Sequence, residues 1–122
     1  MFSIAEINSS GDKKLNKIIN KKLNFYKNSN SEKNIYLKIN TELSKKIASR
    51  DQKGNPKTYR IQIISKISTK DNKGKIKNKS FSKSVNYNNS SNKFDLKKYE
   101  NKTAKNLSEK ISEEIIIYLQ SI

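Results

Sequence analysis

The chain is 122 residues long, the length of one ordinary domain, with 27 Lys and Arg against 11 Asp and Glu, a formal charge of +16 and 32% hydrophobic residues. No stretch approaches the ~20 consecutive apolar residues that span a bilayer as a helix, and with neither cysteine nor histidine the chain lacks disulfides, thiolate zinc sites and the usual nucleophile–base pairs. So few apolar residues approach the disordered range, and the case for one folded domain over residues 1–122 rests on how they are spaced.

Phe2, Ile4 and Glu6 share one parity against Ser3, Ala5 and Ile7, which predicts a short strand that "NSSGD" breaks. Asp12 is read as the N-cap of a helix whose apolar face is Leu15, Ile18, Ile19, Leu23 and Tyr26. "NSNSEKN" ends that helix as a polar loop. Ile35, Leu37 and Ile39 alternate with Tyr36, Lys38 and Asn40, a half-buried strand that Leu43 and Ile47 continue, with a bulge, to about Ser49. Asn55-Pro56 breaks it. Tyr59, Ile61, Ile63 and Ile67 then form the inward face of a second long strand, with Arg60, Gln62, Lys66 and Lys70 outside. "DNKG" makes a hairpin turn, and a third strand runs from about Ile76 to Tyr87 with Phe81, Val85 and Tyr87 on one face.

Asn92 or Asp95 caps the last helix, with Phe94 set as a hydrophobic staple toward Tyr99 if Asp95 is the cap. Leu96, Tyr99, Thr103, Leu107, Ile111, Ile115, Tyr118 and Ile122 make a stripe at three- and four-residue steps, opposite Lys98, Lys105, Glu109 and Glu113. The expected fold is α+β: a four-stranded, mostly antiparallel sheet with two helices on one face, in the order β-α-β-β-β-α.

Little in the chain suggests catalysis. Glu113 and Glu114 are consecutive on a helix and so point about 100° apart, which is no acid–base dyad. All three glycines fall in expected turns rather than in a phosphate-cradling loop. The expectation is a protein that is not an enzyme and carries no catalytic residues, cofactor or metal. The positive signal is charge. Lys57, Arg60, Lys66 and Lys70 on one strand, with Lys77, Lys79 and Lys83 on the next, suggest a basic strip suited to an anionic ligand. Tyr59, Phe81 and Tyr87 interleave with it, a pattern that also suits single-stranded nucleic acid. The plainer reading packs those aromatics under the helices and leaves the lysines to blunt sheet edges. With only Arg50 and Arg60 as arginines, the bidentate forks that favour phosphate recognition are few.

From Thr58 to Leu119 the chain resembles the LPS-assembly lipoprotein LptE in its alphaproteobacterial form. The likeness is carried by a long strand and a glycine-containing turn at Gly74, by a strand ending in "SVNYNNSSNKF", and by the terminal helix "AKNLSEKISEEIIIYL". The order of elements, including "SEKNIYLKI" after the first helix, extends it along the chain. The resemblance implies a non-enzymatic domain, lipid-anchored at the periplasmic face of the outer membrane, that plugs an LptD-type β-barrel, the LPS translocon, and helps deliver lipopolysaccharide. The ligand-binding residues it implies are the basic strip, contacting LPS phosphates; no nucleic acid is expected as a partner on this reading. The N-terminus "MFSIAEINSSGDKK" does not read as a signal peptide, and with no lipobox cysteine the anchor and the localisation are implied by the resemblance alone. The alternative is a cytoplasmic single-stranded nucleic-acid-binding domain.

Overall fold

Apolar side chains at every second position of three successive segments build three long strands, because strand neighbours point to opposite faces. The computed structural model describes residues 2–28 and 31–122. Its elements are β1 (Ser3–Gly11), α1 (Lys13–Leu23) followed by a 3-10 turn at Asn24–Tyr26, β2 (Asn34–Arg50), β3 (Pro56–Lys70), β4 (Ile76–Asn88) and α2 (Lys93–Ser121). The fold is α+β in the expected order. The sheet runs β1-β2-β3-β4, with β2, β3 and β4 antiparallel and β1 parallel to β2. A parallel pair needs a crossover, and α1 supplies it.

One face of the sheet meets both helices. Ile35, Leu37, Ile39 and Thr41 of β2 lie beside Ile61, Ile63, Ser65, Ile67 and Thr69 of β3, all buried. Phe81 and Tyr87 continue the layer onto β4. The hydroxyls of Thr41 and Ser65, opposite each other, share a buried hydrogen bond of 2.9 Å, so two polar groups are accommodated mid-core without an unmet partner. From above, α1 contributes Leu15, Ile19 and Leu23, and α2 contributes Leu96, Ala104, Leu107, Ile111, Ile115 and Leu119.

Several local expectations are revised. β1 carries a register shift between Ile4 and Glu6, so Ile7 pairs with buried Leu37 while Glu6 pairs with Tyr36 on the open side. Ile4 and Glu6 therefore do not share a face, and β1 continues through "NSSG" to Gly11. Asp12 does cap α1, its Oδ1 accepting from Leu15 N at 3.0 Å. At α2 the cap is Asn92, whose Oδ1 accepts from Asp95 N at 3.1 Å. The staple condition fails with it, and Phe94 is exposed. The α2 stripe also turns slightly: Tyr99 is half exposed, and Glu100 and Leu119 are buried. Of the polar loop expected after α1, Ser29 and Asn30 lie outside the described residues.

The two hairpin turns are built alike. Asp51 Oδ1 accepts from Lys53 N and Asn55 N, and Asp71 Oδ1 accepts from Lys73 N and Lys75 N, each at 2.9 Å. In both, a glycine at positive φ (Gly54, Gly74) completes the loop. The left-handed conformation is nearly free only for glycine.

Candidate functional site

Strand alternation decides which of the strip residues can act together. In β3, Arg60, Lys66 and Lys70 alternate with the buried Ile61, Ile63 and Ile67, and so project from the open face of the sheet. Lys77, Lys79 and Lys83 have the parity of Phe81, and therefore lie on the helix side. Lys57 is exposed at the start of β3, on the side that carries Tyr59. The seven basic residues do not form one strip. The same alternation was legible in the sequence, where Phe81 and the three β4 lysines share odd numbers.

On the helix side two of the lysines already have partners. Lys83 Nζ lies 2.7 Å from Glu114 Oε1 on α2, and Lys79 Nζ stands 5.9 Å from the centre of the Tyr118 ring. Phe81 and Tyr87 are buried and Tyr59 is partly covered, which removes all three as open stacking platforms for nucleic-acid bases.

The open face gathers a different set. Lys38 and Lys46 on β2 join Arg60, Lys66 and Lys70 on β3, against Glu6 and Glu42 as its acids. Lys46 sits directly across from Arg60. The β4 part of this face is uncharged, with Asn78, Ser80, Ser82, Ser84, Asn86 and Asn88 in alternating positions. Two cross-strand hydrogen bonds knit this carpet: Arg60 Nη2 donates to Ser84 Oγ and Gln62 Nε2 to Ser82 Oγ, both at 3.0 Å. A trough of about 530 Å3 crosses the face, with Lys38 and Lys66 among hydroxyl and amide side chains from Asn8, Asn40, Ser68 and Ser80. Two cations among neutral donors and acceptors form a surface for phosphate and sugar hydroxyls. Parity in β2 would have placed Lys38 and Lys46 on this face.

A second polar cluster, absent from the sequence reading, lies under the first turns of α2. Glu100 accepts a 2.5 Å hydrogen bond from the Tyr87 hydroxyl and pairs with Lys45 Nζ at 2.7 Å. Lys45 also sits 4.2 Å from the Tyr59 ring centre, and Tyr87 packs between the rings of Tyr59 and Tyr99. Burial pushes the Glu100 carboxyl up, but the hydrogen bonds and charge of Lys45, with the Tyr87 hydroxyl, outweigh it and hold the group below its ordinary value. Burial, reinforced by Glu100, pushes the Tyr87 phenol up, so it remains a donor. The sequence signal was a lysine at an inward-facing parity between Leu43 and Ile47. Such a residue calls for a buried acid.

Among the described residues no three metal-ligating side chains converge, and no helix is long and apolar enough to cross a membrane.

The two-layer β-α-β-β-β-α domain is similar in fold to several solved bacterial lipoproteins. The structure matches rare lipoprotein B from Shewanella oneidensis with a TM-score of 0.73 at 12% identity, covering 95% of this chain and 94% of that one. It matches a minor lipoprotein from Acinetobacter baumannii with a TM-score of 0.70 at 8% identity, covering 94% and 88%. Lipoprotein B from Nitrosomonas europaea follows, with a TM-score of 0.66 at 11% identity, covering 94% and 80%. No protein-family model and no curated protein matches the sequence. At these identities the shared property is the fold.

Proposed function

We propose that this protein is a non-enzymatic envelope lipoprotein of the LptE type, held at the periplasmic face of the outer membrane, that binds lipopolysaccharide and partners an LptD-type β-barrel. The observation that carries the reading is the open sheet face. Its trough sets Lys38 and Lys66 among serine and asparagine side chains, and Arg60, Lys46 and Lys70 extend the positive charge along the strands. Lipid A presents phosphates to such cations and sugar hydroxyls to such amides. The β4 part of the face, uncharged and rich in serine and asparagine, also suits the polar lumen of a large barrel. The sequence resemblance and the fold shared with bacterial lipoproteins support the same reading from separate directions.

Of the seven basic residues read from the sequence, the proposal assigns ligand contact to Arg60, Lys66 and Lys70. Lys57, Lys77, Lys79 and Lys83 lie on the other side of the sheet. The test is lipopolysaccharide binding by the folded protein. A triple reversal of Arg60, Lys66 and Lys70 to glutamate is expected to weaken binding about tenfold or more, as charge-assisted hydrogen bonds are lost. The triple reversal of Lys57, Lys77 and Lys79 to glutamate, which changes the charge by the same six units on the helix side, serves as the control and is expected to bind normally. Equal loss in both would mean that net charge, not the open face, attracts the ligand. Undiminished binding by a folded triple variant would remove the face as the site.

A further inference from the structure

β1 occupies the place beside β2 only as far as Thr41, where Gly11 pairs and the chain leaves the sheet. β2 continues to Arg50, and beyond Thr41 no strand among the described residues pairs with it on that side. The departure is enforced. Gly11 has φ +86, and a Cβ there would collide with the Thr41 carbonyl oxygen. Asp12 N donates to that carbonyl, which shows that the backbone groups of Thr41 face the β1 side. Peptide groups alternate in direction along a strand, so Leu43, Lys45 and Ile47 offer N–H and C=O to the same vacated lane. The lane beside residues 42–50 is about 30 Å long at ~3.4 Å per residue.

The side chains beside the lane are also unfinished. On one face of one strand, Ile35, Leu37 and Ile39 are 1–2% exposed, whereas Leu43 and Ile47 are 37% and 40% exposed. Leu43 opens onto a groove of about 610 Å3 between the start of α1 and α2, floored by Leu15, Ile18 and Ala104. Lys14, Lys97 and Lys102 stand at its lip, with Asp12 as its acid.

We propose that this lane is a strand-docking site for an extended, acidic segment of another protein. It goes beyond the lipopolysaccharide reading and does not depend on it. The open backbone edge calls for a strand, because its N–H and C=O groups match only another extended backbone. Apolar side chains at alternate positions cover Leu43 and Ile47 on the helix side, and the carboxylates between them project to the open face, toward Lys46 beside Glu42. A second copy of this chain is disfavoured by charge, since it would bring +16 against +16.

The probe is an acetylated, amidated octapeptide of alternating valine and glutamate, titrated into the full chain and followed by backbone amide NMR and hydrogen exchange. Saturable shifts are expected along Leu43–Arg50, with exchange at Leu43, Lys45 and Ile47 slowed about tenfold or more on saturation. Ile47→Pro removes one lane-facing N–H without touching the β2–β3 ladder, and is expected to abolish binding. If that variant does not fold, the octapeptide N-methylated at every second residue, which cannot donate along one edge, replaces it and is expected not to bind. The proposal is overturned if no saturable shift occurs at millimolar peptide. It is equally overturned if the shifts fall on the free edge of β4, or if a valine–lysine octapeptide binds as well. Dodecyl phosphate filling the groove while the peptide leaves the lane untouched would make this an amphiphile site instead.

Discussion

Glu100 shows how a single side chain can join three elements. It receives Lys45 from β2 and Tyr87 from β4 while belonging to α2, and it is nearly buried. Glu100→Ala would strand Lys45 and the Tyr87 hydroxyl, and the expected loss in chemical denaturation is about 2–4 kcal/mol. Because the folded carboxyl is held below its ordinary value of 4.5, its contribution is complete above that value and is lost as pH falls through the lower, folded one. Glu100→Gln should therefore flatten the acid side of the stability–pH curve, and an unchanged slope in that variant would contradict the pairing. Asp71 acts in the same direction. Backbone donation from Lys75 leads the causes that lower its carboxyl, so the second hairpin turn also loosens with acid. Glycines differ at this scale. Gly11→Ala combines left-handed strain with a backbone collision and should cost about 2 kcal/mol or more. Gly74→Ala has nothing within 4 Å of the new methyl and should cost about 1 kcal/mol, from φ alone. Thermal melts of the two variants check the ordering.

Among the elements, α2 is the chief roof of the sheet, and its end signals and its face were not equally legible. Asn92 and Asp95 both had the chemistry of a cap, and only the backbone turn at Asn92, extended at φ −84 and ψ 99, chose between them. Asn92→Ala should lower stability by about 1 kcal/mol, whereas Asp95→Ala should keep the cap hydrogen bond, whose donor is the backbone N–H of residue 95. The mid-helix Ile111 is wholly buried, so Ile111→Ala should cost about 3 kcal/mol by leaving a cavity. Denaturant midpoints of the two alanine variants, at 92 and 111, test whether packing outweighs capping in this helix. The bulge in β1 is an instructive miss. Alternation from Phe2 onward predicted Glu6 on the face of Ile4, but an extra residue at that point lets Ile7 reach the core. Nothing in the residue types between Ile4 and Glu6 signals that insertion.

At the scale of the whole molecule, charge opposes compaction. With +16 on 122 residues and three ion pairs among the described residues, self-repulsion is the dominant electrostatic term. Raising salt from about 10 mM to about 150 mM shortens the Debye length from ~30 Å to ~8 Å and should raise the melting temperature. A fall on adding salt would mean that the ion pairs outweigh the repulsion. The same field reaches any polyanion, which is why the functional tests compare faces of the sheet rather than binding against none.

By itself, the sequence determined the element order, the α+β class, the two hairpin turns and most of the core. Those depend on period-2 and helical spacing of isoleucine and leucine and on Asp, Asn, Gly and Pro at turns, all of which act between near neighbours in the chain. Parity by itself also separates Arg60, Lys66 and Lys70 from Lys77, Lys79 and Lys83, because the β4 lysines share the odd positions of Phe81. Only the tertiary structure decided that β1 runs parallel to β2 and leaves it at Thr41, that Lys45 meets Glu100 across 55 positions of sequence, and that Lys38 and Lys66 share one trough. Each of these joins residues far apart in the chain, and local propensity carries no information about where a distant strand or helix comes to rest.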